Sequence, residues 1–386
     1  MHERSASDMV WAAMGVPEVS IIIPTLNEAA NLPVLVPQIA AALDGRTYEI
    51  LIVDDNSTDD TAAVCARLAE QYLLRLIVRT RPHAGLGGAV LHGLQQARGR
   101  RFVVMDADLQ HPPQKIPGLL APLERGEADF ALGSRYVSGG SMAEKWGPMR
   151  RLNSRIATML ARPFAGSATD PMSGFFALNR ETFESAERLT PLGYKIGLEL
   201  MCKCRVQRVA EVPIHFGERQ AGQSKLSLRE QFRYLEHLSR LYDFCYPRLS
   251  PIAKFTVVLV LSWLIGLGVF QLLLVVDVQP VLVPPVAYLA AIAVTAVFHV
   301  RYIRAQREFL LTRQPWREFL LIAVGELVVC ALAGAWVIWR LDPAHALELF
   351  VIPFAAATVT RYVLRKELMQ DIRGLRRELR REELRQ

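Results

Sequence analysis

The residues able to do chemistry in this chain gather in three short stretches. Pro24-Thr25-Leu26-Asn27-Glu28, Asp54-Asp55-Asn56-Ser57-Thr58-Asp59-Asp60-Thr61 and Asp106-Ala107-Asp108-Leu109-Gln110-His111-Pro112-Pro113 each follow directly on an apolar run. An Asp-x-Asp pair alone is common, and Asp59-Asp60 has the ordinary alternative of capping the next helix. Asp106 and Asp108 stand apart. The apolar residues from Phe102 to Met105 put both carboxylates at a strand terminus, with no basic residue between them. Carboxylates in a crevice need a cationic partner, and a hard divalent ion bound to a diphosphate supplies it. His111 lies beside the pair, but a hard-oxygen site does not require it. Gly85-Leu86-Gly87-Gly88-Ala89-Val90 has the outline of a dinucleotide loop, yet Val90 stands at the third glycine position and no Gly-Lys-Ser/Thr follows. These glycines read as close backbone approach at a helix start.

The elements that must position these groups alternate along the first half. Apolar runs at 19–23, 50–53, 73–78, 102–105 and 130–132 are separated by helical patterns at about 28–43, 59–72, 86–98 and 114–125. Continuously apolar strands separated by helices predict a doubly wound, mostly parallel α/β sheet covered on both faces. Ligands of such sheets bind at the carboxyl ends of the strands, where all three polar stretches fall.

The second half is of another kind. The chain has 386 residues, 51% of them hydrophobic, and a mean hydropathy of +0.19, too apolar for an ordinary soluble enzyme. The excess lies in residues 251–364, which excludes a purely soluble or a disordered protein. Four transmembrane helices are expected, at about 252–276, 281–300, 319–339 and 347–364. Pro284-Pro285 weakens the second, and Glu348 and Pro353 the fourth. Arg301, Arg304, Arg307, Arg313 and Arg317 crowd the loop between the second and third spans, and nine Lys/Arg follow residue 360. The positive-inside rule then places the N-terminal domain, that loop and the tail on the cytoplasmic side, at the cell membrane in a prokaryote. The net charge of +7 is accounted for by a membrane surface, without nucleic acid.

Between the halves, Leu228, Phe232, Leu235, Leu238, Tyr242 and Cys245 recur at helical spacing among Arg229, Arg233 and Arg240. This suits a helix in the headgroup region, or one packing on the preceding domain. A similar stripe, from Leu364 through Leu368, Ile372 and Leu375 to Leu379, continues the last span into the tail. The expected organisation is a lead at 1–16, an α/β domain at 17–227, a juxtamembrane helix at 228–250, an all-α membrane domain at 251–364 and a basic tail at 365–386. The apolar run from Met9 to Val16 is a poor signal peptide. Five cysteines without a C-x-x-C pair read as reduced thiols, with Cys202 and Cys204 as packing residues.

In order, the chain also carries Gly133-Ser134-Arg135-Tyr136, Asp170-Pro171-Met172-Ser173-Gly174-Phe175-Phe176, Gly193-Tyr194-Lys195-Ile196 with Glu199, and Val212-Pro213-Ile214 to Arg219-Gln220-Ala221-Gly222-Gln223-Ser224-Lys225. With the three polar stretches and the glycine run, these motifs make residues 18–228 resemble family 2 glycosyltransferases, more narrowly the polyprenol (dolichol) phosphate mannose synthases. The membrane half looks like the four-span GtrA-type module fused to some microbial members. The resemblance implies a GT-A nucleotide-sugar fold with Mg²⁺ or Mn²⁺. It implies that Pro24, Leu26, Glu28, Val53 and Asp55 hold the nucleoside, with Leu26 standing where many relatives have tyrosine. Asp106, Ala107, Asp108 and Gln110 would hold the diphosphate, with Asp106, Asp108 and Gln110 on the metal. Arg219 and Lys225 would close over the diphosphate on a mobile loop. Arg135, with Arg150 and Ser154, would hold the acceptor phosphate, and Glu199 would lie near the sugar.

The implied reaction is an inverting transfer of a hexose, mannose from GDP-mannose, to a polyprenyl or dolichyl phosphate. A glucosyltransferase using UDP-glucose on the same lipid remains open. A processive polysaccharide synthase fits less well, because Gln231-Phe232-Arg233-Tyr234 does not match the Gln-x-x-Arg-Trp motif of those enzymes. A non-catalytic membrane scaffold would not need Asp106, Asp108, Arg219 and Lys225. The oligomeric state is not legible in the sequence.

Overall fold

The computed structural model describes residues 15–142, 148–193, 195–204, 206–217, 228–298, 315–341 and 345–383. The chain divides into two compact units, Met1–Pro247 and Arg248–Gln386.

In the first unit the apolar runs form strands β1 (Val19–Thr25), β2 (Tyr48–Asp54), β3 (Leu74–Val78), β4 (Arg101–Val104) and β5 (Phe130–Ser134). Helices α1 (Leu32–Ala42), α2 (Thr61–Leu68), α3 (Gly85–Gln96) and α4 (Ile116–Glu124) lie between them in sequence. Later come a two-residue β6 (Ser141–Met142), α5 (Pro148–Ala161), β7 (Phe176–Asn179), α6 (Arg180–Glu184), α7 (Ile196–Lys203), β8 (Val209–Pro213), a two-residue β9 (His215–Phe216) and α8 (Leu228–Cys245). The main sheet has seven strands in the order β3-β2-β1-β4-β7-β5-β8. Only β7 runs antiparallel to its neighbours in this sheet.

Successive strand residues point to opposite faces, and both faces are covered. Ile22, Leu51 and Val53 pack with Val90 and Leu94 of α3 and Leu198 and Leu200 of α7. Ile21, Ile23, Ile50 and Ile52 pack on the other side with Leu35 and Ile39 of α1 and Leu119 and Leu120 of α4. This is the expected doubly wound sheet. The parallel register Thr25↔Asp54 and Ile22↔Val104 keeps the strand ends level, so the segments leaving β1, β2 and β4 share one edge.

The amphipathic stretch forms α8, which packs on this unit through Tyr234, His237, Leu238 and Leu241, all buried. Phe232 and Leu235, from the expected apolar stripe, are 54% and 43% exposed. The inward face is thus rotated from the one that hydrophobic spacing alone selects, and it brings His237 within 3.5 Å of a buried carboxylate described below.

The second unit contains α9 (Ser250–Val275), α10 (Val283–Phe298), α11 (Pro315–Arg340) and α12 (Ala346–Glu383). Among the described residues three segments are long and apolar enough to cross a membrane: Ile252–Val275, Phe319–Arg340 and Ala346–Leu364. The expected second span, 281–300, coincides in part with α10, which is described over Val283–Phe298. Its expected last residues and most of the arginine-rich loop after it, 299–314, lie outside the described residues. The tail continues the last span as expected, since α12 is one helix of 38 residues.

Phe270, Tyr288, Phe350 and Phe354 form the core of this unit. It also buries an ion pair: Arg361 donates to both carboxylate oxygens of Glu326, at 2.7 and 2.6 Å, and to Thr295 Oγ1 at 2.9 Å. Such a pair inside a helical core is tolerated because each charge is answered and hydrogen-bonded.

Candidate active site

At the sheet edge the β1 and β2 segments are laced together. Asn27 and Asn56 take left-handed backbone conformations, which asparagine tolerates. The Asn27 N–H donates to Ser57 Oγ and the Thr58 N–H to Asn27 Oδ1, both at 2.8 Å. Asp54 accepts from the Ser57 N–H at 2.9 Å and from the Ser57 hydroxyl. Asp59 takes the N–H of Ala29 at 3.1 Å and the Thr61 hydroxyl at 2.5 Å. Burial opposes its charge, but these hydrogen bonds hold its carboxyl below the usual value. Asp54 and Asp59 are therefore scaffold.

Asp55 has a partner that sequence reasoning missed. Arg79, the residue after β3, lies 2.9 Å from its carboxylate. Burial raises the Asp55 pKa and the Arg79 charge opposes it. Arg79 also donates to the carbonyl of His83 at 2.6 Å, shaping the turn into α3. The available signal was a basic residue at the carboxyl end of a parallel strand. The glycines of α3 do serve close approach: a Cβ on Gly88 would lie 2.3 Å from His83 O, and one on Gly87 2.9 Å from Gly193 O.

The Asp106 to His111 turn is held from inside. His111 is buried and stacked 5.3 Å from the Phe175 ring. Burial, against the pull of Asp106 and Asp108, lowers its pKa, so the neutral ring is favoured. Its Nδ1 accepts the Asp106 N–H at 3.0 Å, which makes His111 a brace for the turn and occupies that nitrogen. Leu109 sits at φ 63°, a strained conformation for a branched side chain. Asp108, 4% exposed, accepts the Gln110 N–H at 3.2 Å. The Gln110 amide donates to Gly217 O at 2.9 Å, and the Gly217 N–H returns to Gln110 O at 3.0 Å. This turn is thereby tied to the residue before 218–227, the segment that carries Arg219 and Lys225 and lies outside the described residues.

A pocket of about 100 Å³, open to solvent, lies against this turn. Asp106, His111, Arg135, Met172, Lys195 and Phe216 are among its lining residues. Arg135, immediately after β5, makes a two-pronged pair with Asp170: Nε to Oδ2 and Nη2 to Oδ1, each 2.7 Å. Burial works against its charge, and the bonds and charge of Asp170 more than restore it. Lys195 donates to Met172 O at 2.6 Å; burial, with the nearby Arg135 charge, pushes its pKa down to about 8. Lys195 and Asp170 lie in motifs visible in the sequence, but their roles were not assigned there. The side chains of Arg150 and Ser154 on α5 lie outside the described residues.

These donors fit a hard divalent cation. Asp106 lines the pocket and Asp108 belongs to the same turn, and carboxylate oxygens are the ligands such an ion takes. Among the described residues no cluster of three or more His, Cys, Asp or Glu forms a ready-made cage. Mg²⁺-type sites need none, since one or two carboxylates combine with substrate phosphates and water.

Glu199 is elsewhere. It is fully buried, accepts from Lys203 Nζ and from the Thr190 N–H, each at 2.7 Å, and lies 3.5 Å from His237 Nε2 of α8. It does not line the pocket, so it braces α7 against α8, and sugar contact finds no support in this geometry. Burial raises its pKa, but the close approach of His237 and the bonds from Lys203 and Thr190 outweigh this and bring it to about 2. A depressed carboxyl pKa contributes stability that is complete above the unfolded value of 4.5 and is lost as pH falls toward about 2. The thermal midpoint of Glu199→Gln should thus lie below wild type at pH 6 to 7 and converge on it between pH 4.5 and 2. A constant gap across that range would overturn the assignment.

Residues 20–186 match the family model described as Glycosyl transferase family 2. The chain is 42% identical over 262 residues to a dolichol-phosphate mannosyltransferase of Mycosarcoma maydis, covering 65% of this chain and 88% of that protein. A dolichol-phosphate mannosyltransferase of Pyrococcus furiosus is 45% identical over 244 residues, covering 62% of this chain and 68% of that one. Among solved structures, the glucosyl-3-phosphoglycerate synthase of Mycobacterium tuberculosis with Mn²⁺, UDP-glucose and phosphoglyceric acid aligns at TM-score 0.45 and 22% identity. That alignment covers 64% of this chain and 86% of that one, and so slight a likeness carries nothing about ligands.

Proposed function

The chain belongs to glycosyl transferase family 2 and is a glycosyltransferase, and on that premise we propose that it transfers mannose from GDP-mannose to a polyprenyl phosphate of the dolichyl type. The observation that carries this reading is a pocket lined by Asp106 together with Arg135 and Lys195. A donor diphosphate and an acceptor phosphate are both anions, and this pocket offers each a distinct partner.

At the donor end, Asp106 and Asp108, with Gln110, would hold Mg²⁺ or Mn²⁺, which when bound supplies positive charge to the departing diphosphate. Arg219 and Lys225 are assigned the same task from the segment after Gly217. Pro24, Leu26, Glu28, Val53 and Asp55 would seat the nucleoside along the β1 and β2 ends, where Leu26 offers an exposed apolar face. At the acceptor end, Arg135 would hold the lipid phosphate, with Arg150 and Ser154 beside it.

A phosphate monoester with a second pKa of about 6 is mostly dianionic at pH 7 and attacks the anomeric carbon without a side-chain base. This agrees with the placement of Glu199 away from the pocket and with the engaged Nδ1 of His111. The protein's task is to bring two anions into line. One in-line displacement inverts the anomeric centre, so an α-linked donor yields a β-linked lipid phosphate sugar. The helices of the second unit would anchor the enzyme, with the catalytic unit on the cytoplasmic side.

Purified full-length protein, given polyprenyl phosphate and a panel of GDP- and UDP-sugars, should favour GDP-mannose in kcat/KM by about tenfold or more over UDP-glucose. Its product should be β-linked by NMR. Preference for UDP-glucose would replace mannose by glucose, and transfer to no lipid phosphate would defeat the reading.

A further inference from the structure

The orientation of Arg135 depends on a residue that never reaches the pocket. Arg135 follows the last residue of β5, and its guanidinium is gripped by Asp170 along the edge carrying Nε and Nη2. Asp170 also takes the Arg135 backbone N–H at 3.0 Å, so it holds both ends of the residue. Its own placement comes from Glu211 on β8. Glu211 Oε1 accepts the Asp170 N–H at 3.1 Å and the Thr169 hydroxyl at 2.8 Å, while Oε2 accepts the Thr169 N–H at 2.9 Å. Thr169 Oγ1 in turn lies 3.2 Å from Ser134 Oγ, at the end of β5. In the parallel register Glu211 lies opposite Leu132, two residues before Ser134. One carboxylate therefore straps the 169–170 turn to β8, the neighbour of the strand whose end carries Arg135.

We propose that Glu211 is a positioning residue for the acceptor phosphate, acting through Asp170 to hold the Arg135 fork at the angle that receives it. An arginine side chain has many rotamers to lose, and its planar donors are useful only when aimed. Asp170 occupies one edge of the plane and so directs the edge bearing Nη1 elsewhere. Glu211 removes the freedom of the turn that carries Asp170. Misplacement of about 1 Å at a reacting group can cost 100-fold in rate, so a strap outside the pocket can matter as much as a contact within it. The chemistry explains the choice of a carboxylate, since its two oxygens satisfy two adjacent backbone N–H groups and a hydroxyl together. A single amide oxygen serves them less well.

This inference rests on the proposal that Arg135 receives the acceptor phosphate, and the experiment separates the two. Kinetics are measured on full-length wild type, Glu211→Ala, Glu211→Gln, Arg135→Lys and the Glu211→Ala/Arg135→Lys double variant. GDP-mannose and polyprenyl phosphate in detergent are each varied at saturation of the other. Glu211→Ala should lower kcat/KM for the lipid phosphate by about 10- to 100-fold and leave the donor KM within about twofold. Glu211→Gln, which keeps one accepting oxygen, should recover part of that loss. With Arg135→Lys, which has no fork to aim, the further effect of Glu211→Ala should shrink to about twofold or less.

Wild type that transfers nothing to polyprenyl phosphate defeats the functional reading at the outset. Wild-type transfer with any of three results overturns the positioning role alone: donor and acceptor parameters falling together, no recovery in Glu211→Gln, or an undiminished Glu211→Ala effect on the Arg135→Lys background. Should Glu211→Ala fail to fold, Glu211→Gln decides in the same cycle, and an acceptor kcat/KM equal to wild type overturns the proposal.

Discussion

Asp108→Asn should lower turnover by about 10²- to 10³-fold while the thermal midpoint stays within a few degrees of wild type. Asparagine keeps the volume of the side chain and the oxygen that accepts the Gln110 N–H, so the turn after β4 has no reason to rearrange. What it loses is one of two negative charges, in a buried position where no third acidic side chain converges among the described residues. With half of the protein's charge for a divalent ion gone, cation affinity falls, and the donor diphosphate meets Asp106 without a mediator. The measurement is steady-state transfer at rising Mn²⁺, alongside thermal unfolding. Near wild-type turnover at saturating Mn²⁺ would remove Asp108 from the metal-binding role.

A chain ended after Arg248 should keep nucleotide binding and lose most transfer to long-chain lipid phosphate. The boundary between the compact units falls at Pro247 and Arg248, and the first unit has its own cores on both sheet faces. All the proposed donor residues lie within it. A polyprenyl tail, by contrast, has to remain in the bilayer, and membrane helices that anchor the enzyme there raise its effective concentration. Loss of that co-localisation is expected to cost about 10²- to 10⁴-fold with long-chain acceptor in liposomes. A short, water-soluble isoprenyl phosphate should restore part of the rate. Equal rates for the truncated and full chains on long-chain acceptor would mean that the helices do not serve as an acceptor platform.

Much of the first unit was legible because parallel strands buried on both faces are continuous apolar runs. The strands at 19–25, 48–54, 101–104 and 130–134 announce themselves in this way, while the edge strand at 74–78 carries Arg75 within its apolar run. The antiparallel β7 does not announce itself. It has four residues, begins inside the Asp170 to Phe176 motif, and is defined by pairing with β4 and β5 across a long stretch of chain. Asp106 and Asp108 were readable from position at a strand end. Their braces were not, since the His111 bond to Asp106 and the Gln110 bond to Gly217 depend on which atoms meet in space. Arg79 and Glu211 were missed for the same reason: each acts on a residue far away in sequence. On α8 the hydrophobic spacing marked Phe232 and Leu235, yet the fold buries His237, which lies 3.5 Å from the buried Glu199.

The ion pair of the second unit also bears on how this chain is made. On the proposed membrane reading, Glu326 enters the bilayer with α11, and its partner Arg361 is synthesised 35 residues later, on α12. A lone charge near the centre of an inserting helix costs about 2.5–3.5 kcal/mol. Glu326 therefore remains unanswered during synthesis until Arg361 arrives, and the two arrive in a stable form only together. Biogenesis then treats α11 and α12 as one hairpin, so a chain stopped between them strands an acidic side chain in lipid. A chain stopped before both does not.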